Sequence, residues 1–168
     1  MKVLVTGGAG YIGSVTAAQL LDQGHDVVVF DNLENGHRSA VDARAELIVG
    51  DLRDEAAITD ALSGCAPEAV MHFAAYALVG ESCERPELYF RNNVGGAINL
   101  FEAMLGAGVT QFVFSSTCAV YGEPVQVPIS DDHPRQPTNP YGRSKLMVEN
   151  VLESLSDAER LRYVALRY

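Results

Sequence analysis

A tyrosine and a lysine stand four residues apart in Tyr141-Gly-Arg-Ser-Lys145, directly after Pro140. On a helix this spacing puts both side chains on one face, one turn apart. Taken alone, the pair reads first as an amphipathic helix with an exposed ring and a solvated lysine. Its chemical reading is proton transfer. A tyrosine base has to ionise near neutrality against a reference pKa of about 10, and three pKa units correspond to about 4 kcal/mol. A lysine charge at roughly 6 Å, in an effective dielectric near 20, supplies about 2.8 kcal/mol, or two of those units. A second positive charge has to supply the rest. The hydroxyls of Ser115-Ser-Thr117 follow an apolar run, and Thr117 is the one placed to share a hydrogen bond with a reacting hydroxyl.

The N-terminus suggests where that second charge comes from. Residues 3–5, Val-Leu-Val, read as a strand buried on both faces. Gly7, Gly10 and Gly13 follow, and then an amphipathic stretch over 11–23 that reads as a helix. Gly7 can take positive φ, Gly10 has no side chain to block a pyrophosphate, and Gly13 allows close helix–strand packing. The helix N-terminus adds unpaired N–H groups and the positive end of its dipole. Three glycines alone would mark only a flexible turn; strand, spacing and helix together predict dinucleotide binding. Asp31, 18 residues after Gly13, can accept hydrogen bonds from ribose hydroxyls and repel a 2′-phosphate, favouring NAD over NADP. His37 and Arg38 keep NADP open. An oxidised nicotinamide is then the natural second charge beside Tyr141.

These groups need a scaffold. Apolar runs at 3–5, 27–30, 47–49, 69–73, 111–114 and 162–167 read as strands, and helical patterns lie at 11–23, 54–63, 86–106 and 140–157. The alternation predicts an α/β fold, a doubly wound parallel sheet of the Rossmann type, as one domain over 1–168. In such sheets ligands sit beyond the carboxyl ends of the strands. There fall residues 7–13, Asp31 and Asn32, Asp51, Ala74 and Ala75, and residues 115–117. Asp51 reads equally as a turn or helix-cap aspartate, and the two alanines as small core residues. Residues 123–140 hold five of the seven prolines and read as a long loop.

Twelve basic against 22 acidic residues give a net charge of −10, which argues against nucleic acid or an anionic membrane surface as partner. No apolar run approaches spanning length, and a strand from residue 2 leaves no room for a signal peptide. Cys65, Cys83 and Cys118 show no metal-ligand spacing and read as reduced thiols of a cytoplasmic protein.

Taken together the motifs resemble the extended short-chain dehydrogenase/reductase superfamily, and within it the UDP-glucose 4-epimerases. The resemblance is carried by Thr6-Gly-Gly-Ala-Gly-Tyr-Ile-Gly-Ser14, Asp31-Asn-Leu33, Gly50-Asp-Leu-Arg53, His72-Phe-Ala-Ala75, Val79-Gly-Glu-Ser82, Asn92-Asn-Val94, Phe114-Ser-Ser-Thr117 and Tyr141-Gly-Arg-Ser-Lys145. Related dehydratases and decarboxylases carry an acid after the Ser/Thr cluster. Here Cys118 and Ala119 stand there, which favours simple oxidation and re-reduction.

The resemblance implies that Tyr141 takes the proton from a sugar 4-hydroxyl while hydride leaves C4 for NAD. A 4-keto sugar turns over in the pocket and is reduced on its other face, interconverting UDP-glucose and UDP-galactose. Lys145 would lower the Tyr141 pKa and bond the nicotinamide ribose. By position in the family pattern, Gly7, Gly10, Tyr11, Ile12, Gly13, Asp31, Asn32, Leu33, Glu34, Asn35, Gly36, Asp51, Leu52, Phe73, Ala74, Ala75, Tyr76, Ala77, Asn92 and Ser115 would line the cofactor site with Tyr141 and Lys145. It further implies a UDP-sugar substrate, a C-terminal substrate domain not found in these 168 residues, and homodimers through the stretches 86–106 and 140–157. Which UDP-sugar is used stays open, as does a non-catalytic NAD-binding module from a truncated chain.

Overall fold

The structure is a computed structural model that describes residues 1–168. Six parallel strands, β1 (Lys2–Thr6), β2 (Asp26–Asp31), β3 (Glu46–Val49), β4 (Ala69–His72), β5 (Gln111–Ser115) and β6 (Arg162–Leu166), form one sheet in the order β3-β2-β1-β4-β5-β6. The order reverses at β1, so the ends of β1 and β4 flank a topological switch point, where open α/β sheets bind ligands. The central strands are buried on both faces, as their near-continuous Val, Leu and Phe content requires.

The two faces are unequal. Leu4, Val28, Phe30, Val70, Phe112 and Phe114 pack on α2 (Glu55–Cys65), α5 (Gly96–Gly106) and α6 (Pro140–Asp157) in a core of 19 buried residues. Val3, Val5, Val27 and Val29 face the other way, where Ala17 of α1 (Tyr11–Asp22) completes a cluster of five. Helices therefore lie on both faces, but α1 covers little of its side, and Val164 and Leu166 of β6 stay exposed.

Helix ends follow local chemistry. Asp54 caps α2 by accepting from Ala56 N and Ala57 N. Asn139 caps α6 by accepting from Gly142 N, with Pro140 in the first turn, where its missing N–H costs nothing. The strand and helix bounds shift by one or two residues from the sequence expectation: β4 ends at His72 and β6 at Leu166.

The stretch expected as one helix over 86–106 is helical throughout but not uniform. A short α4 (Pro86–Tyr89) runs into a π-helical segment, Phe90–Gly95, before α5. The wider turn inserts a residue, a feature common at functional sites. Asn92 lines the cleft, while the buried Asn93 accepts from Tyr76 N at 2.8 Å and donates to Tyr76 O and Ser144 Oγ at 3.0 Å. A further short helix, α3 (Val79–Glu84), was not anticipated. Residues 123–139 are the expected irregular loop. Cys65 is buried, Cys83 and Cys118 are exposed, and none forms a disulfide. No helix is long and apolar enough to cross a membrane.

Candidate functional site

A cleft runs along the carboxyl ends of β3, β2, β1 and β4. Its floor is the glycine turn after β1. Gly7 has φ +73°, a conformation L side chains rarely adopt, and a Cβ there would strike the Ala74 backbone. A Cβ at Gly13 would strike the Gly7 carbonyl, so α1 meets the turn at a distance only glycine permits. Gly10 is the N-cap of α1 and gives no side-chain hydrogen bond, leaving the first-turn N–H groups without a cap. A cradle that any side chain would fill, beside an uncapped helix N-terminus, fits a pyrophosphate.

Asp31 stands at the end of β2 and is buried. Its carboxylate accepts from Ala9 N at 2.9 Å and from Leu33 N at 2.8 Å, tying the glycine turn to the next loop. Leu33 takes a left-handed conformation, φ +59°, within that tie. Each carboxylate oxygen keeps a second lone pair, enough for a ribose hydroxyl.

Asp51 is a turn aspartate rather than the helix cap, which is Asp54. It accepts from Arg53 N at 2.8 Å, from the Arg53 guanidinium and from Asn32 Nδ2 at 3.0 Å. These bonds, Arg53 foremost, hold its carboxyl well below the usual range. Glu34 accepts from Tyr76 Oη at 2.8 Å and meets Arg53 at 3.3 Å. The Glu34–Tyr76 contact thus joins the loop after β2 to the loop after β4, with β1 between them. Burial, then Glu34, pushes the Tyr76 phenol up.

Fourteen of the residues expected at the cofactor site line this cleft, Asp31, Asp51, the segment 73–76 and Asn92 among them. Ile12, Gly13, Leu33, Glu34 and Ala77 stand outside its walls, and Ser115, Thr117, Tyr141 and Lys145 belong to the neighbouring β5–α6 side. Phe30 and Gly50 also line it and are not among the residues expected at the cofactor site. Gly50 had a signal, as a glycine directly after a strand: a Cβ there would meet the Phe30 ring at 2.6 Å.

On the β5–α6 side, Lys145 is only 3% exposed. Its ammonium donates to Ser115 O at 2.9 Å and lies 4.8 Å from the Phe114 ring centre. Burial pulls its pKa down to about 7. Burial also pushes the Tyr141 phenol up, opposed by hydrogen bonding from Thr117. The lowering expected from Lys145 is therefore not what governs Tyr141 here. The one-charge arithmetic left out what it costs to bury both partners. Ser115 Oγ is hydrogen-bonded to Tyr168 Oη, a contact the sequence did not signal. Beneath them the buried His72 holds Thr6 Oγ1 at 2.6 Å, and burial, then the Lys145 charge, lowers its pKa to about 3.

The fold has close counterparts. The chain is 52% identical over all 168 residues to the UDP-glucose 4-epimerase of Lacticaseibacillus casei, covering 51% of that protein. The crystal structure of UDP-glucose 4-epimerase from Brucella ovis in complex with NAD superposes with a TM-score of 0.96 at 49% identity, covering 99% of this chain and 51% of that one. The Thermotoga maritima UDP-glucose 4-epimerase solved with UDP-glucose gives 0.96 at 37% identity, over 100% and 55%. The chain thus spans about half the length of the relatives it matches. A family-level match runs from residue 3 to residue 168, through all six strands and both groups of candidate residues, and the chain belongs to the NAD dependent epimerase/dehydratase family.

Proposed function

We propose that residues 1–168 form the NAD-binding Rossmann domain of a UDP-glucose 4-epimerase-type isomerase, with Tyr141, Thr117 and Lys145 as its reacting groups. The observation that carries this reading is adjacency: the glycine cradle and Asp31 lie at the ends of β1 and β2, and the Tyr141 group stands beyond β5, one strand further than the cleft wall formed after β4. A dinucleotide laid across the switch point would point from the first group toward the second. The epimerases of L. casei and B. ovis, and the NAD in the latter structure, support the same reading.

The chemistry that bound NAD supplies is reversible acceptance of a hydride from the sugar C4, together with a positive charge near Tyr141. The first-turn N–H groups of α1 would hold the pyrophosphate, and Asp31 would take the adenosine ribose. Asp51 and Leu52 would line one wall of the cofactor cleft, and Phe73, Ala74 and Ala75 the other. Tyr141 removes the proton from the 4-hydroxyl and returns it, the same group serving as base and acid. Thr117 shares a hydrogen bond with that hydroxyl and with Tyr141. Lys145 would bond the nicotinamide ribose, and its ammonium together with the cofactor's positive charge would favour the tyrosinate against the cost of burial. The UDP moiety is held by residues beyond this half of the family's length. The α5–α6 surface carries an apolar groove of Ile98, Phe101, Leu105, Val151 and Leu155, which supports homodimerisation through those helices.

The test is reduction of bound NAD on adding UDP-glucose or UDP-galactose, followed at the NADH band. Reduction that disappears in Tyr141→Phe supports the reading. Tight NAD binding without reduction means a competent cofactor domain whose chemistry waits for the half that holds the UDP moiety, since the chain spans only 51% of the L. casei relative; a folded chain that binds no NAD sinks the reading.

A further inference from the structure

Helix α6 carries a third residue at the spacing of its reactive pair: Tyr141, Lys145 and Glu149 follow one another at four-residue steps on one face. Glu149 is 2% exposed, and the mechanism above gives it no task. Its carboxylate accepts from Arg167 Nε at 3.0 Å and Nη2 at 2.9 Å, from Arg135 Nη1 at 3.3 Å and from Ser116 Oγ at 2.5 Å. Four segments meet on it: α6, the end of β5, the residue after β6 and the long loop. A buried ion cluster is a poor stabilising device, since apolar residues of equal volume do as well or better. What it does provide is fixed geometry.

That geometry surrounds one turn. Thr117 is the N-cap of the 3-10 turn Cys118–Val120, its Oγ1 accepting from Ala119 N at 3.1 Å, and Tyr121 closes the turn. Ser116, immediately before Thr117, is bonded to Glu149. Tyr121, at the other end, accepts from Arg167 Nη1 at 2.9 Å while the guanidinium lies 5.3 Å from its ring centre. Both ends of the turn are therefore tied to the same carboxylate, one directly and one through Arg167. The start of α6 packs tightly on it: a Cβ at Gly142 would come within 2.7 Å of Ala119 O.

We propose that Glu149 is a positioning residue, which through Ser116 and Arg167 locks the 117–121 turn so that Thr117 stays against Tyr141. The role rests on the proposed function, because it matters only if Thr117 and Tyr141 react together. Ser116 and Glu149 touch neither substrate nor cofactor in this scheme.

The experiment is a titration of the cofactor-free chain labelled with carbon-13 at the tyrosine ring, following Tyr141 in the parent, Ser116→Ala, Tyr121→Phe and Thr117→Ala. The groups acting on Tyr141 are Thr117, Tyr168 and Cys118, and of these only Thr117 lowers its pKa. Thr117→Ala is expected to move the Tyr141 midpoint up and so calibrates the readout. Ser116→Ala removes one hydroxyl and leaves Glu149 with both arginines; it is expected to reproduce most of that upward move. Tyr121→Phe keeps the ring, loses the outer tie, and is expected to move the midpoint the same way by less. A merely structural role would lower the melting temperature without moving Tyr141. An unmoved midpoint in Ser116→Ala and Tyr121→Phe overturns the proposal, as does an unmoved midpoint in Thr117→Ala. Equilibrium dialysis separates the two levels: failure of the parent to bind NAD sinks the functional reading and this role with it. NAD binding with Tyr141 unmoved sinks the positioning role alone.

Discussion

The cleft side and the α6 side of this molecule both concentrate charge, and they hold it differently. Beside the cleft, Arg53 bridges Asp51 and Glu34 with its side chain 35% exposed and that of Glu34 47% exposed. Ion pairs in that setting contribute about 0–1 kcal/mol, because water screens them and the side chains lose entropy. On α6, Glu149 and Lys145 are almost wholly buried, Glu149 bonded to Arg167, Arg135 and Ser116 and Lys145 to Ser115 O. The contrast teaches what each side can do. Exposed pairs can exchange partners with an arriving ligand, whereas buried charges keep one arrangement and fix the segments around them.

The comparison breaks most readily on stability. Glu149→Ala leaves two guanidinium groups with a lost partner and is expected to cost about 3–5 kcal/mol. Arg53→Ala is expected to cost less than about 1 kcal/mol. Urea unfolding of the two variants measures both, and equal losses would erase the distinction between the two sides.

Proton linkage gives the next largest effect. Burial holds the Lys145 pKa down to about 7 in the fold, against about 10.4 for an ordinary lysine. Between those values the unfolded chain binds more protons, so stability rises with pH. From pH 7 to pH 9 the parent should gain about 2 kcal/mol that Lys145→Met does not, by the linkage of one buried amine. Denaturant midpoints of the two chains at both pH values give the difference directly. Parallel pH profiles would mean that Lys145 is hydrated in solution.

The cleft side should respond more gently. Tyr76→Phe removes the hydroxyl that reaches Glu34 across the cleft and keeps the ring. NAD affinity is expected to fall about two- to fivefold, the size of one exposed charge-assisted hydrogen bond of up to about 1 kcal/mol. Isothermal titration of both chains measures it. A hundredfold loss would show that this contact is as fixed as those of α6.

The same contrast explains what could be read from the chain in advance. Gly7, Gly10 and Gly13 announce the cleft because their reasons are local: one positive φ, one uncapped helix start, one close packing contact. Strands β1 and β2 are legible for a similar reason, as runs buried on both faces. The Tyr141–Lys145 spacing was legible too, but its electrostatics were not, since burial rather than the mutual charge decides both groups. Glu149 was invisible. A glutamate on an amphipathic helix reads as solvated, and its partners Arg135, Arg167 and Ser116 lie 14, 18 and 33 residues away. Asn93 was hidden in another way, because the π turn that sends it inward leaves no mark on helical periodicity. Sequence spacing reports contacts made within a turn or two; the buried network is assembled by the sheet.

The most direct test of the account is calorimetric titration of the folded 168-residue chain with NAD and with NADP. Saturable binding of NAD is expected, with NADP at least about tenfold weaker if Asp31 repels the 2′-phosphate. A chain with native circular dichroism that takes up neither dinucleotide would contradict it.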